Sequence, residues 1–356
     1  MRTLSDLQGA LRHNRTTQLI ALSAFILGIL AAIGSLVLFQ SQNTPSLVKG
    51  LRQSDISTNK SSAYTFIDPL IATTGTNHPE IYTAMRQEVS TYVAGRENLE
   101  LISASVEFRD INESSGFSLN PGEQYAAGSL YKLPVMMAYY KIAETNSMIL
   151  SQDVLYTGTE DRNRIEEIKS SVQLIPGKSY TVEQLIEHMI LYSDNNAGHL
   201  LEQTLEETNH YADYLAVFSA LGIDSTNLKN YTDNLTASKY SLFLRALYNA
   251  TYLEPEGSER ALSLLSKADF SEGIESGVPN YVNVAQKFGE IRLVKSDGTL
   301  VGKQLHNCGI VYFPKHPYSL CVMTKASGDD IKTLESNISS ISRIVYKHMQ
   351  QLYPES

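Results

Sequence analysis

The order of hydrophobic periodicities constrains this chain most. Leu101 to Phe108 (LISASVEF) alternates apolar and polar residues as a half-buried strand does. Gly116 to Tyr125 follows as a second strand with an Asn-Pro-Gly turn. Near the other end, Val282 to Leu293, Gln304 to Phe313 and Tyr318 to Thr324 form three more strand patterns in succession. Between the two blocks the spacing is helical, over Leu130 to Ala143, Val182 to Leu191, Ala197 to Leu205 and Ser238 to Ala250. Helices also bracket the whole. Ile81 to Val93 opens it, and Leu334 to Leu352 closes it with Leu334, Ile338, Ile341, Ile344, Val345 and Met349 on one stripe. Strands at both ends with helices between predict an α+β domain: an antiparallel sheet flanked by helices, with a mostly helical subdomain. There is no internal repeat.

Ahead of this pattern, Leu19 to Phe39 contains no charged residue. As a helix it would span about 30 Å, the thickness of a bilayer's hydrocarbon core. No small-residue cleavage site follows it, so the expectation is an uncleaved single-pass anchor. Arg2, Arg12 and Arg15 precede the run, which puts residues 1–18 in the cytoplasm and the rest outside the cell membrane. Residues 40–76 read as a flexible linker rich in Ser, Gln, Asn and Thr, and 77–356 as the folded domain. The net charge of -9, without a long basic run, excludes nucleic acid as an expected partner. Cys308 and Cys321 flank a hairpin around Pro-Lys-His-Pro that would set them diagonal to each other, so the expectation is two buried free thiols, with a strained disulfide as the alternative.

Three short motifs carry the chemistry. Ser129-Leu-Tyr-Lys132 opens an apolar helix after a strand and turn. A spacing of three puts Ser129 and Lys132 on one helix face, one turn apart. A serine hydroxyl needs a neighbour to take its proton, and a lysine packed among Leu133, Pro134 and Val135 has its basicity lowered by desolvation enough to serve. Alone, S-x-x-K is equally a helix cap followed by a snorkelling lysine, and Ser46…Lys49 and Ser57…Lys60 match it too. Ser193-Asp194-Asn195 lies between two helices, where Ser, Asp and Asn are also ordinary caps. Lys287-Phe288-Gly289 sits within a strand, where a glycine permits close approach of a ligand and a lysine can pair with a substrate carboxylate, or where the lysine is an ordinary exposed one beside a bulge. Each is weak by itself. Their order, each on a suitable element, reverses the balance.

In these three motifs the chain resembles the class A β-lactamase and penicillin-binding superfamily, whose signatures are S-x-x-K, S-D-N and K-T-G. The likeness extends through QYAAGSLYKLPVMMAYY, LIEHMILYSDNNAGHLL, LTASKYSLFLRALY and HNCGIVYFPKHPYSLCVMTK, from about Ile81 to the last helix. The resemblance implies that Ser129 is acylated, that Lys132 accepts its proton and that Ser193 passes a proton to the leaving nitrogen. It implies that Asn195 binds the acyl side chain's amide and that Lys287 steers a substrate carboxylate beside Gly289. The backbone N–H groups of Ser129 and Glu290 would form the oxyanion hole. No cofactor is implied. No metal-ligand set stands out either, since His188 and His199 read as surface or core residues beside the Ser-Asp-Asn loop.

Two departures bear on substrate and turnover. Phe288 replaces the threonine of K-T-G, so a hydroxyl that would hold a carboxylate is missing. The stretch Gly222 to Leu235, where class A enzymes carry a glutamate that activates the deacylating water, has only Asp224 and Asp233. Glu160, Glu166 and Glu167 precede Ser193, on the wrong side of the motif. The implied activity is a β-lactamase-type hydrolase acting on β-lactams or related amides. The alternatives are a D-Ala-D-Ala carboxypeptidase or transpeptidase acting on peptidoglycan-like peptides, or a non-catalytic penicillin-binding sensor.

Overall fold

A computed structural model describes residues 64–69, 79–97, 99, 101–112, 115–224, 234–328 and 330–354. The expected anchor and nearly all of the linker lie outside these residues. No helix among the described residues is long and apolar enough to cross a membrane.

In chain order the elements are α1 (Thr83–Arg96), β1 (Ser103–Asp110), β2 (Gly116–Leu119), a 3-10 turn (Gly128–Tyr131), α2 (Lys132–Ala143), β3 (Asp153–Tyr156), β4 (Lys178–Thr181), α3 (Val182–Leu191), α4 (Asn195–Glu207), α5 (Tyr211–Ala220), α6 (Ala237–Tyr248), α7 (Pro255–Leu265), β5 (Val284–Val294), β6 (Leu300–Val311), β7 (Tyr318–Ser327) and α8 (Ile331–Leu352). The main sheet has the order β2-β1-β7-β6-β5, and its paired neighbours are antiparallel. The strands from both ends of the chain thus meet at the β1–β7 pairing, as an α+β layout requires. β3 and β4 form a separate small hairpin.

Two apolar cores share this frame. Tyr82, Phe108, Leu320, Ile338 and Val345 fill the space between the sheet and helices α1 and α8. Met136, Leu185, Leu201, Phe218 and Leu262 fill the helical subdomain, with α2 at its centre. α2 is apolar nearly all round and buried from Lys132 to Tyr140, as a helix enclosed by others must be. Pro134 sits in its first turn, where the missing N–H has no helical partner to lose. A capping box starts α3: Thr181 Oγ1 accepts from Gln184 N and Gln184 Oε1 accepts from Thr181 N.

The structure corrects the cysteine expectation. Cys308 and Cys321 are directly opposite in the β6–β7 register and are joined as a disulfide. Pairing ends at Val311–Tyr318, because the loop takes Tyr312 and Phe313 as well as Pro-Lys-His-Pro. Those two extra loop residues move Cys308 from opposite Met323 to opposite Cys321.

Candidate active site

The turn that carries Ser129 is held by the sheet beside it. Gln304 Oε1 on β6 accepts from the Ala126 N–H at 3.0 Å. His306, also on β6, lies with Nε2 at 3.0 Å from the Ala126 carbonyl oxygen, so this nitrogen carries the proton and donates. Gly128 has φ +50, and a Cβ there would stand 2.8 Å from the Glu290 carbonyl oxygen. Glycine alone satisfies both conditions. The turn therefore presses onto β5, and Ser129 begins the last turn before α2.

Lys132 is the first residue of α2 and is fully buried. Its Nζ lies 2.8 Å from Ser129 Oγ, 2.6 Å from the Ser193 carbonyl oxygen, 3.2 Å from Ser193 Oγ and 2.5 Å from Asn195 Oδ1. An ammonium has three protons, so it cannot donate to all four at once. Burial pushes the amine from 10.5 down to about 7, against the nearby carboxylates of Glu166, Asp194 and Glu202, which raise it. Once neutral, it has a lone pair facing a serine hydroxyl.

Ser193 turns the chain between α3 and α4 with φ +53, a left-handed conformation that is uncommon for a residue with a side chain. Its Oγ accepts from Lys287 Nζ at 2.8 Å. Asp194 caps α4, its Oδ1 accepting from the backbone N–H of Asn196 and Ala197. Asn195 starts α4, with Oδ1 at 3.4 Å from Ser129 Oγ. His188 and His199 are half-buried. His188 lies 4.0 Å from Asp194 between Tyr180 and Tyr192. Among the described residues no cluster of His, Cys, Asp and Glu could hold a metal ion.

β5 brings the third motif to the same point. Lys287 is buried, and desolvation together with the Lys132 charge holds its amine well below the ordinary lysine range. Phe288 stacks on Phe270 with ring centroids 4.3 Å apart, and the Lys287 ammonium lies 4.4 Å from its ring centroid. Apolar contacts thus stand where the family's signature has a hydroxyl. A Cβ on Gly289 would stand 2.8 Å from the Ala127 carbonyl oxygen and 3.1 Å from Leu130 N. The residues picked from the sequence, Ser129, Lys132, Ser193, Asn195, Lys287, Gly289 and Glu290, therefore share one locus.

Chain order failed as a guide to one further group. The loop before β4 folds back onto the motif, and Glu166 Oε1 accepts from Asn195 Nδ2 at 2.7 Å. The side chain that precedes Ser193 in sequence is thus in the site, contrary to its exclusion on order. The loop is fastened on both sides of it. Asn163 Oδ1 accepts from Asn195 N at 2.7 Å and its Nδ2 donates to Asp194 at 3.0 Å. The Glu290 carboxylate accepts from Glu167 N at 3.1 Å and Ile168 N at 3.0 Å, and Lys303 pairs with Glu167. Nothing in the spacing of residues 160–169 signals this. Neither His306 nor Gln304 was legible as a support, since each is a lone polar residue on a strand.

No curated protein matches the chain. Among solved structures, PBP-A superposes with a TM-score of 0.61 at 19% identity, over 76% of this chain and 97% of the other. A β-lactamase from Chitinophaga pinensis DSM 2588 gives 0.60 at 17%, over 74% and 99%. One from Sphaerobacter thermophilus DSM 20745 gives 0.59 at 20%, over 76% and 99%. At these identities the likeness bears on the fold. The family model described as "Beta-lactamase enzyme family" matches residues 85–349, most of the folded region. The chain belongs to the β-lactamase enzyme family.

Proposed function

We propose that the protein is an acyl-serine hydrolase of class A β-lactamase type, and that Ser129 forms the covalent intermediate. One observation carries the reading: the buried Lys132 amine, lowered to about 7, lies 2.8 Å from Ser129 Oγ while touching Ser193 and Asn195. Neutral Lys132 takes the Ser129 proton as Oγ attacks the lactam carbonyl carbon. The N–H groups of Ser129 and Glu290 hold the oxyanion. As the C–N bond breaks, Ser193, hydrogen-bonded to Lys287, gives its proton to the leaving nitrogen. Lys132 then returns a proton to Ser193, which leaves an ester at Ser129. Water hydrolyses that ester and restores the hydroxyl. An acyl-enzyme complex of a PBP-A mutant with penicillin G supports β-lactams as the substrate class.

A second reading has its own support. The stretch after Ser193 that should carry a deacylating glutamate has none, which favours a long-lived acyl-enzyme and D,D-peptidase behaviour or a penicillin sensor. We also propose that Leu19 to Phe39 anchors the domain outside the cell membrane, on the strength of its uncharged composition and the arginines before it.

The test is a time course of the purified full chain with a fluorescent penicillin, with Ser129→Ala as control. A Ser129-dependent adduct that clears as product accumulates supports the hydrolase. A persistent adduct supports the peptidase or sensor. The absence of any adduct overturns both.

A further inference from the structure

Asn195 is where the proposed function places the acyl amide of the substrate, yet its carboxamide is already engaged. Its Oδ1 faces Lys132 Nζ at 2.5 Å. Its Nδ2 donates to Glu166 Oε1 at 2.7 Å and lies 3.4 Å from the Arg162 carbonyl oxygen. A side-chain amide has two N–H groups, so both are directed at the loop. An arriving acyl group meets Asn195 with a carboxylate beside it.

That carboxylate is held in place. The loop is tied to the start of α4 by Asn163, by the Arg162 N–H to Asn196 Oδ1 at 2.8 Å, and by Asn196 Nδ2 to Asp161 Oδ1 at 3.1 Å. Just beyond Glu166 it is tied to β5 through Glu290 and to β6 through Lys303. Across the site the Glu166 charge acts on the buried amines of Lys132 and Lys287, while the cations on the loop side are engaged by other groups. Arg162 pairs with Glu160, Lys303 with Glu167, and Lys169 Nζ donates to the Asn163 and Arg164 carbonyls. Glu166 is half-buried, so an ion paired with it is partly shielded from water.

We infer that Glu166 sets acyl specificity: the site takes acyl groups that carry an ammonium able to meet the Glu166 carboxylate, and disfavours acyl groups that carry an anion. The inference rests on the proposed acyl-serine reading. It gives Glu166 a selecting role besides the effect of its charge on the basicity of Lys132.

The test uses the full chain and three penicillins of one scaffold whose acyl side chains bear an ammonium, no charge, or a carboxylate. Second-order acylation constants are measured for the wild type and for Glu166→Gln, which keeps an acceptor for Asn195 Nδ2 and removes the charge. The ratio between penicillins within one enzyme is the readout, so a change in overall reactivity cancels. The expected wild-type preference for the ammonium over the carboxylate is roughly tenfold or more, the effect of one charge reversal at contact distance in partly screened surroundings. In Glu166→Gln it should fall to within about threefold. Acylation of the wild type at equal rates by all three, or a preference that survives Glu166→Gln, overturns the inference and leaves the acyl-serine reading standing. No adduct with any penicillin overturns both.

Discussion

The backbone of Gly289 lies so close to that of Ala127 that a Cβ on the glycine would stand 2.8 Å from the Ala127 carbonyl oxygen. The nearest obstructing atom is backbone, and so is Leu130 N at 3.1 Å, so neither can rotate away as a side chain could. Gly289→Ala should push β5 off the Ser129 turn and separate the Ser129 and Glu290 N–H groups. Acylation should fall by roughly 100-fold, the order seen when one oxyanion donor is lost. Rapid-quench measurement of adduct formation checks this, with circular dichroism to confirm that the fold persists.

Acylation should follow the neutral form of Lys132. Its amine lies at about 7 in the fold against an ordinary 10.5. Below that value the rate should drop roughly tenfold per pH unit, and above it should level off. Because the Glu166 charge raises Lys132, Glu166→Gln should move the midpoint to lower pH. A profile flat from about pH 5 to about pH 9 would falsify the assignment of Lys132 as base.

Phe288→Thr restores the family's hydroxyl and removes the stack on Phe270. The loss of a buried ring should lower stability by about 2–4 kcal/mol, as read by urea unfolding. A hydrogen bond to a charged group is worth enough to raise acylation by a carboxylate-bearing penicillin roughly tenfold. Acylation by an ester without that carboxylate should not gain. Equal gains for both would show that the threonine acts by relieving the ring, not by binding the anion.

His306 predicts an acid weakness. Burial holds it neutral and lowers it from 6.5 to about 4. As pH falls below about 6.5 the unfolded chain takes up a proton that the folded one refuses, so stability is lost down to about 4 and then levels off. The full loss is on the order of 3 kcal/mol. Unfolding free energies at neutral pH and near pH 4.5 should differ less in His306→Gln than in the wild type, by on the order of 2 kcal/mol.

The pairing of Cys308 with Cys321 predicts no free thiol in the folded protein under oxidising conditions. Closing a loop of separation 13 should stabilise the fold by roughly 3 kcal/mol in the chain-entropy account. Alkylation with and without prior reduction, read by intact mass, checks the bond. Thermal melts of Cys308→Ala/Cys321→Ala check its worth.

What could be read in advance divides along a physical line. The elements that set the fold have strong periods: the bounds of α3 came out as its spacing implied, and β5, β6 and β7 lie within a few residues of their patterns. Helix α5 was missed because Tyr211–Ala220 is apolar nearly all round and has little amphipathic bias. The site residues were legible where short-range spacing fixes geometry, as it does for Ser129 and Lys132 on one helical turn. Glu166 was not, because its contact with Asn195 spans 29 residues and is made by a loop without regular structure. The same limit hid the disulfide, whose register depends on where a loop stops and a strand resumes.

The buried amine of Lys132 has a consequence for the life of the chain before it is complete. Its lowered basicity comes from burial by α2, the Ser193 turn and β5, three segments far apart in sequence. Until they meet, the amine is hydrated and protonated, and Ser129 is an ordinary alcohol. A nascent, stretched or half-assembled chain is therefore chemically mute toward acylating agents. Reactivity at Ser129 appears only with the finished tertiary structure, so covalent labelling of that serine doubles as a count of correctly folded molecules.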